Sequence, residues 1–587
     1  MNRRRMFHVG LFYLCGFLLL ISRLAYIQLI ATESFSDENV NLIKASVRQR
    51  TESFMLNNGR GHLLGRDGKR LRENEQSALI LFPFLKRMNW PSEKVADIIG
   101  SGSEVLEQAV NRAHSPFAFS SDLTKEQMDA IQDLRIPGVY AQFVQSDSFD
   151  PFAEHILGMT AENPKLVKER YPEKLEKGVI SKNVKVGISG LEEAFDPFLL
   201  SRGPAKLVYH TEANGSPLFG LEVRYTGDAS PYYPLNVRTT IDKEMQQIVQ
   251  DAVSASGLEK GGVVLLDADN SKLLAMASRP LFDPHHPYAA GAKNYMILPQ
   301  IPGSVFKIVT ASAAIEKNAV DPDRLFNCNQ TLYGEAGAHR QLGMLTFTES
   351  FAQSCNHTFG ELANELIQKD RDYIETFAKR LGLLGPVGWR GSVYHIESMS
   401  HFPNEIAGNV WKDDSYKNEP KSVAQTAIGQ LNVRVSPLAI ANAMATIARG
   451  GEKLAVRAAS TIEYENGVEV VSFPEKPLDG STIAPYTAMK MQELLRKVVT
   501  LPRGTGRRLA DLPYEVAGKS GTAQKGVDSD GKPVDNQWFA GYFPADDPEY
   551  VLVVVDLARH AGEMKTYKIY KQVVKGLYRL DYGETEK

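Results

Sequence analysis

Cysteine is scarce in this sequence: Cys15, Cys328 and Cys355 are the only three in a chain of 587 residues. That excludes a fold built on disulfides. Cys328 and Cys355 either pair or lie apart as two buried thiols, and the residues leave both open. No Cys/His cluster has metal-ligand spacing. His285 and His286 are adjacent, and adjacent side chains rarely converge on one ion, so no metal is expected. Long basic tracts are also missing. The formal charge is −3, with 67 Lys and Arg against 70 Asp and Glu, so no nucleic-acid partner is expected. There is no internal repeat, no low-complexity stretch and no second strong apolar span. The last of these excludes a channel or transporter.

What is present starts at the N-terminus. Three arginines, Arg3 to Arg5, precede an apolar run from Met6 to Ser22, and after Arg23 the apolar character resumes to Ala31. The whole stretch is long enough to span a bilayer, with Arg23 snorkelling to the outer interface. A cleaved signal peptide competes with this reading, but no small-x-small cleavage site follows the run. The expectation is an uncleaved single-pass anchor in the cell membrane. Its arginines stay cytoplasmic and the bulk of the chain lies outside.

The remainder, 43 % hydrophobic over the whole chain, has ample material for more than one core. A strand is expected around "SVRQRTE" (46–52), a turn at Asp67-Gly68, a strand at "SALILFPF" and helices over 91–112 and 124–134. The segment 186–204 reads as a junction with a helix over 191–200. Near residue 235 the pattern changes. "LNVRTTIDKEMQQIV" is a strand entering a helix capped by Asp242, and "GGVVLLDADNSKLLAMAS" is a hairpin. Helices follow after Ser304 and over 347–380, 436–449 and 482–499. "QWFAGYFPADDPEYVLVVVDLA" is a strand-turn-strand, and a helix over 567–580 closes the chain. The arrangement is α+β: an antiparallel sheet with helices against it, without βαβ alternation.

The stretch "IPGSVFKIVTASAAIEK" sets a hydroxyl, Ser304, and an amine, Lys307, at the start of an apolar helix. Serine is a preferred N-cap, so Ser304 has a structural reading. The chemical reading is a nucleophile whose i+3 lysine loses solvation and becomes a base. A second Ser-x-x-Lys, Ser529 to Lys532, sits in a Gly/Asp-rich turn with no helix after it. Ser354-Cys355-Asn356 offers a hydroxyl and an amide two residues apart. Lys519-Ser520-Gly521-Thr522 offers a cation and hydroxyls at the edge of a strand. There Gly521 would let a substrate backbone approach closely, while Lys519 and Thr522 suit a carboxylate. Each alone has a bland reading as a helix hydrogen bond or a surface turn. The last is not a P-loop, because the Gly-x4-Gly-Lys spacing is absent.

Together the three resemble the signature of the penicilloyl-serine transferases, Ser-x-x-Lys, Ser-x-Asn and Lys-Thr/Ser-Gly, in the same order. The chain is similar to the monofunctional class B penicillin-binding proteins, with a lean towards those of Gram-positive spore formers. "RGHLLGRDG", "GISGLEEAFDPFL", "RTTID" and "WFAGYFP" extend the resemblance over the full chain. Gly65 replaces an Asp of the first pattern, and Gly429-Gln430-Leu431 replaces a Gly-Gln-Gly turn. The resemblance implies a membrane anchor over 1–31 and an elongated mixed α/β pedestal of dimerisation type over 32–230. It implies a transpeptidase domain over 231–587 with the penicillin-binding/β-lactamase-like fold.

The activity implied is peptidoglycan D,D-transpeptidation. Ser304 would attack the carbonyl between the terminal D-alanines of a stem peptide, with Lys307 as base. Ser354, assisted by Lys519, would relay the proton to the departing D-alanine. Asn356 would hold the peptide amide, while Thr522 and Ser520 at Gly521 would take the carboxylate. The Ser304 and Thr522 N–H groups would form the oxyanion hole. No cofactor is needed. β-Lactams would acylate the same serine, and a glycan polymerase with many spans and other cell-wall synthesis proteins would be partners. A D,D-carboxypeptidase or β-lactamase-type hydrolase, and a non-catalytic scaffold, are the rival readings.

Overall fold

A computed structural model describes residues 3–35, 41–49, 51–72, 75–146, 150–201, 203–212, 224–226, 233–283, 286, 289–527, 530–560 and 564–583. The N-terminal helix runs Arg3–Ala25 and continues as a π-helical turn, Tyr26–Ile30. Its segment Arg5–Ile30 is long and apolar enough to cross a membrane, and none of it is buried inside the protein.

The chain forms two compact units. One comprises Met1–Arg60, Asn74–Ser148 and Arg202–Ala229; the other comprises Gly61–Glu73, Phe149–Ser201 and Ser230–Lys587. The segments 61–73 and 149–201, which lie early in the sequence, thus pack with the C-terminal part. The first unit holds a strand, Glu75–Leu81, paired on both sides by Phe117–Ser121 and Val139–Gln145. The helices Ser92–Ile99, Ser103–Arg112 and Lys125–Asp133 accompany it. Leu79, Leu81, Val95, Leu106 and Ile131 share its core. The strand expected over 46–52 is corrected: Leu42–Gln49 is a helix and the strand runs Thr51–Asn57. Leu42, Lys44, Ala45, Arg48 and Gln49 are all good helix formers, and they outweigh the β-branched Ile43 and Val47.

The second unit has a five-stranded antiparallel sheet as its largest. In chain order its main elements are α1 (Lys243–Ser256), β1 (Gly261–Asp267), β2 (Leu273–Arg279), α2 (Lys307–Glu316), α3 (Phe347–Gln353), α4 (Asn356–Lys369), α5 (Pro420–Ala427), α6 (Pro437–Ala448), α7 (Pro485–Thr500), β3 (Ala517–Val527), β4 (Pro533–Phe543), β5 (Tyr550–Arg559) and α8 (Lys565–Tyr582). The strand order is β2-β1-β5-β4-β3, with every neighbour antiparallel. Successive side chains of a strand face opposite ways, and here both faces are covered. Val264, Trp538, Ala540, Val553 and Val555 join the larger core with Phe306, Ile308 and Ile440. Val263, Leu265, Phe539, Leu552 and Val554 face Val249 of α1 and Tyr570 and Val573 of α8. Burial on both faces is why these strands read as unbroken apolar runs. Asp242 caps α1, accepting from the N–H groups of Glu244 and Met245. The single expected helix over 347–380 is instead α3, α4 and a third helix, Tyr373–Arg380, with breaks at 354–355 and 370–372. β3 lies at the open edge of the sheet, and the site is assembled along it.

Candidate active site

The turn carrying Ser304 is set by backbone chemistry. Gly303 has φ +56°, and a Cβ there would stand 2.4 Å from the Thr522 carbonyl oxygen. A side chain is therefore barred on both counts. The Gly303 N–H donates to Gly429 O at 3.0 Å. Gly429, at φ +74°, would in turn drive a Cβ to 2.2 Å from Gly303 O. Residues 303–306 form a 3₁₀ turn entered from Pro302, and α2 starts from Phe306; neither start has a side-chain cap. The capping reading of Ser304 is therefore excluded. Val305 and Phe306 are fully buried and pin the turn, while Ser304 itself is part-exposed.

Lys307 is completely buried. Its Nζ donates to Asn356 Oδ1 at 2.8 Å, Ser354 O at 3.0 Å and Ser354 Oγ at 3.1 Å, with Cys355 O at 3.4 Å. It lies 5.1 Å from the ring centre of Phe359. Among the described residues no hydrogen bond joins it to Ser304, so the amine is held by the 354–356 segment. Burial pushes the Lys307 pKa well below the ordinary lysine value, and the charges of Lys519 and Arg340 lower it further. The dry amine is thus accessible in its neutral form.

Ser354 is in position because α3 ends there. It takes the left-handed conformation, φ +58° and ψ +43°, the place where helices usually carry glycine. Holding a serine there costs on the order of 1–3 kcal/mol. The break lets Ser354 and Asn356 meet the same ammonium, which a continuous helix does not allow for side chains two residues apart. Cys355, between them, is disulfide-bonded to Cys328, which decides the alternative the sequence left open.

Lys519 on β3 is the second fully buried amine. It donates to Ser520 O at 3.2 Å and lies 5.6 Å from the Phe351 ring centre. Burial first, and then the Arg340 charge, push its pKa down to about 7. The Ser520 hydroxyl is engaged elsewhere, donating to Thr505 Oγ1 at 2.7 Å. Thr505 is itself tied to Ala352 O and to the Tyr567 hydroxyl. Thr522 is exposed, on the same side of the strand as Ser520 by alternation. Gly521 also has a packing role. A Cβ there would meet Pro302 O at 2.7 Å and Val305 Cγ2 at 2.8 Å. The bare position seats the Ser304 turn against β3. The second Ser-x-x-Lys falls partly outside the described residues, since Ser529 is among those not described; so is His285 of the adjacent histidine pair.

One hydroxyl free of any cap, two desolvated amines and a second hydroxyl on a strained turn converge here from three chain segments. The transpeptidase-domain model of the penicillin-binding proteins matches residues 261–578, and their dimerisation-domain model matches 56–227. The chain belongs to the penicillin-binding protein transpeptidase family.

Among relatives of this class B penicillin-binding protein, stage V sporulation protein D of Bacillus subtilis (strain 168) is 27 % identical over 583 residues, spanning 94 % of this chain and 81 % of that protein. Peptidoglycan D,D-transpeptidase FtsI of Escherichia coli (strain K12) is 24 % identical over 458 residues, 74 % of this chain and 66 % of that one. A chain from a solved peptidoglycan synthase complex, one that coordinates polymerization and crosslinking, matches with TM-score 0.66 and 22 % identity over 99 % of both chains.

Sequence reasoning missed two groups in this penicillin-binding protein. Thr505 offers no local pattern, since it acts only because β3 and α3 meet beside it. Arg340 lies in an irregular segment, and its proximity to the lysines follows from the fold alone. The aromatic walls, Phe351 and Phe359, had a usable signal: each lies on the same helical stretch as the Ser-x-Asn triplet.

Proposed function

We propose that this penicillin-binding protein is a peptidoglycan D,D-transpeptidase working through an acyl-serine intermediate. The observation that carries the reading is Lys307, dry and hydrogen-bonded to both Ser354 and Asn356, one helical turn from the uncapped Ser304. Ser304 Oγ attacks the carbonyl between two D-alanines, and its proton passes to Lys307. The C–N bond breaks, and the leaving amine takes a proton relayed through Ser354. The Ser304 and Thr522 N–H groups stabilise the oxyanion. Asn356 orients the peptide amide. Thr522 receives the carboxylate beside Lys519, with Gly521 keeping the turn and strand together. Ser520, its hydroxyl on Thr505, positions β3 and is less available to substrate than its sequence place suggests. An amine from a second stem peptide then attacks the ester, a new amide forms, and Ser304 is released.

In this reading residues 1–31 anchor the chain with Arg3 to Arg5 in the cytoplasm, 32–230 form the non-catalytic part and 231–587 the catalytic part. β-Lactams acylate the same serine, because their strained amide imitates the donor bond. A glycan polymerase is the natural partner, a reading supported by the likeness to a chain of the peptidoglycan synthase complex. The test is product analysis with a stem pentapeptide donor and an amine-bearing acceptor peptide. Transpeptidation yields a crosslinked dimer with one D-alanine released per crosslink. D-Alanine release with only tetrapeptide formed would mean a carboxypeptidase. Complementation by Ser304→Ala in cells would mean a scaffold.

A further inference from the structure

A cavity of about 220 Å³ lies within the second unit, between the segment around Glu154 and the segments 291–298 and 401–404. None of Ser304, Lys307, Ser354, Asn356 and Lys519 lines it. Ala292 and Lys293 are exposed and mark its mouth, whereas Glu154 and His401 are buried. Each of these two carries a buried polar atom that no protein group meets, Glu154 Oε2 and His401 Nε2. The Glu154 side chain is only 3 % exposed, and its other oxygen is taken. That oxygen, Oε1, accepts from the Phe282 N–H at 3.0 Å and lies 3.3 Å from His155 Nδ1. His401 is completely buried. Its Nδ1 accepts the Ala458 N–H at 3.2 Å, which puts the ring proton on Nε2. Trp389 stacks on the ring at 4.9 Å between centres, and Phe195 and Phe473 pack against it at 5.3 and 4.7 Å. The Nε2 edge is what is left to face the cavity. Buried polar groups are nearly always paired, so a donor and an acceptor left over around one cavity describe the complement that the cavity takes.

We propose that this cavity is a binding site for a small uncharged amide, separate from the site at Ser304. An amide carries both complements: its carbonyl accepts from His401 Nε2–H, and its N–H donates to Glu154 Oε2. Its aliphatic part lies against Ile156, Ile297 and Phe402, which share the lining. A carboxylate in the same place meets the like charge of Glu154, an ammonium meets a ring that offers only a donor, and an ester has no donor for Glu154. The volume sets the size. Pockets for drug-sized ligands hold about 300–1,000 Å³, so this one suits a molecule no larger than an amino-acid amide.

The experiment uses the full chain in detergent at pH 8 and reads binding by saturation-transfer NMR, so it does not depend on whether Ser304 is acylated. Three probes of one shape are titrated: isobutyramide, methyl isobutyrate and isobutyrate. Ala292→Trp closes the mouth from an exposed position, leaves the buried groups alone and supplies the background from the detergent. The parent chain is expected to bind isobutyramide about 10-fold more tightly than the ester or the anion, each of which leaves a buried group unpaired or repelled. Ala292→Trp abolishes the isobutyramide signal. Glu154→Gln keeps an oxygen for the Phe282 N–H and turns the free position from acceptor to donor, so it reverses the order and favours the ester over the amide. An isobutyramide signal that survives Ala292→Trp, no signal above that background, or equal binding of amide and ester by the parent overturns the proposal. So does an unchanged preference in a folded Glu154→Gln; if that variant does not fold, the probe comparison on the parent and Ala292→Trp decides alone.

Discussion

Replacing Lys519 by methionine should stabilise the protein while disabling it. Lys519 is completely buried, and its pKa falls from 10.5 to about 7, chiefly through burial. In the unfolded chain the amine keeps its proton up to about 10.5, but in the folded chain only up to about 7. Between these values the unfolded state binds more protons, so the stability of the parent chain rises with pH across that window. Below about 7 the whole burden is present. Three and a half powers of ten in proton affinity correspond to about 5 kcal/mol. Methionine has a similar length and no charge to desolvate, but it forfeits the bond to Ser520 O and the contact with Phe351. We expect a net gain of about 1–3 kcal/mol at pH 6, which falls as pH rises and becomes a net loss of about 2–4 kcal/mol past pH 10, where only the lost contacts remain. Urea unfolding of the full chain in detergent, followed by tryptophan fluorescence, measures it. Three of the four tryptophans, Trp389, Trp411 and Trp538, lie in the unit that carries the site. Acylation by penicillin should fall by at least about 100-fold in the same variant. A Lys519→Met protein no more stable than the parent at pH 6, or one whose advantage grows with pH, would refute the desolvation argument.

Gly521→Ala forces the strand and the Ser304 turn apart, since its Cβ would lie 2.7 Å from Pro302 O; acylation should drop about 100-fold for large and small β-lactams alike. If Gly521 instead admitted substrate backbone, small β-lactams would be spared. Ser354→Gly removes the hydroxyl that Lys307 donates to but relieves the left-handed backbone, so it should be more stable than Ser354→Ala by about 1 kcal/mol in thermal denaturation, with both slow to acylate. Cys328→Ser opens a disulfide that spans 27 residues and should cost about 3–4 kcal/mol in urea midpoint analysis under oxidising conditions. A loss below about 1 kcal/mol there would mean the tie contributes little.

The sheet was legible because its strands are buried on both faces and carry long apolar runs. The N-cap at Asp242 was legible because cap chemistry is local. The site was legible as three short motifs, yet their physical roles were not. Ser304 has the residue type of a cap, and only the 3₁₀ turn from Pro302 shows that it caps nothing. Gly521 has the look of a substrate platform, and only the packed structure reveals Pro302 and Val305 against it. A run such as 347–380 is helical by composition throughout, and the break at Ser354 depends on a backbone conformation that serine rarely adopts. Arg340 and Thr505 act across sequence separations that no local pattern records.

The central claim is that Ser304 is the nucleophile, and intact-mass measurement with peptide mapping after incubation with a penicillin tests it most directly. The account predicts one stable adduct, mapped to the peptide containing Ser304 and absent from Ser304→Ala. An adduct on any other residue, or persistent labelling of Ser304→Ala, would contradict it.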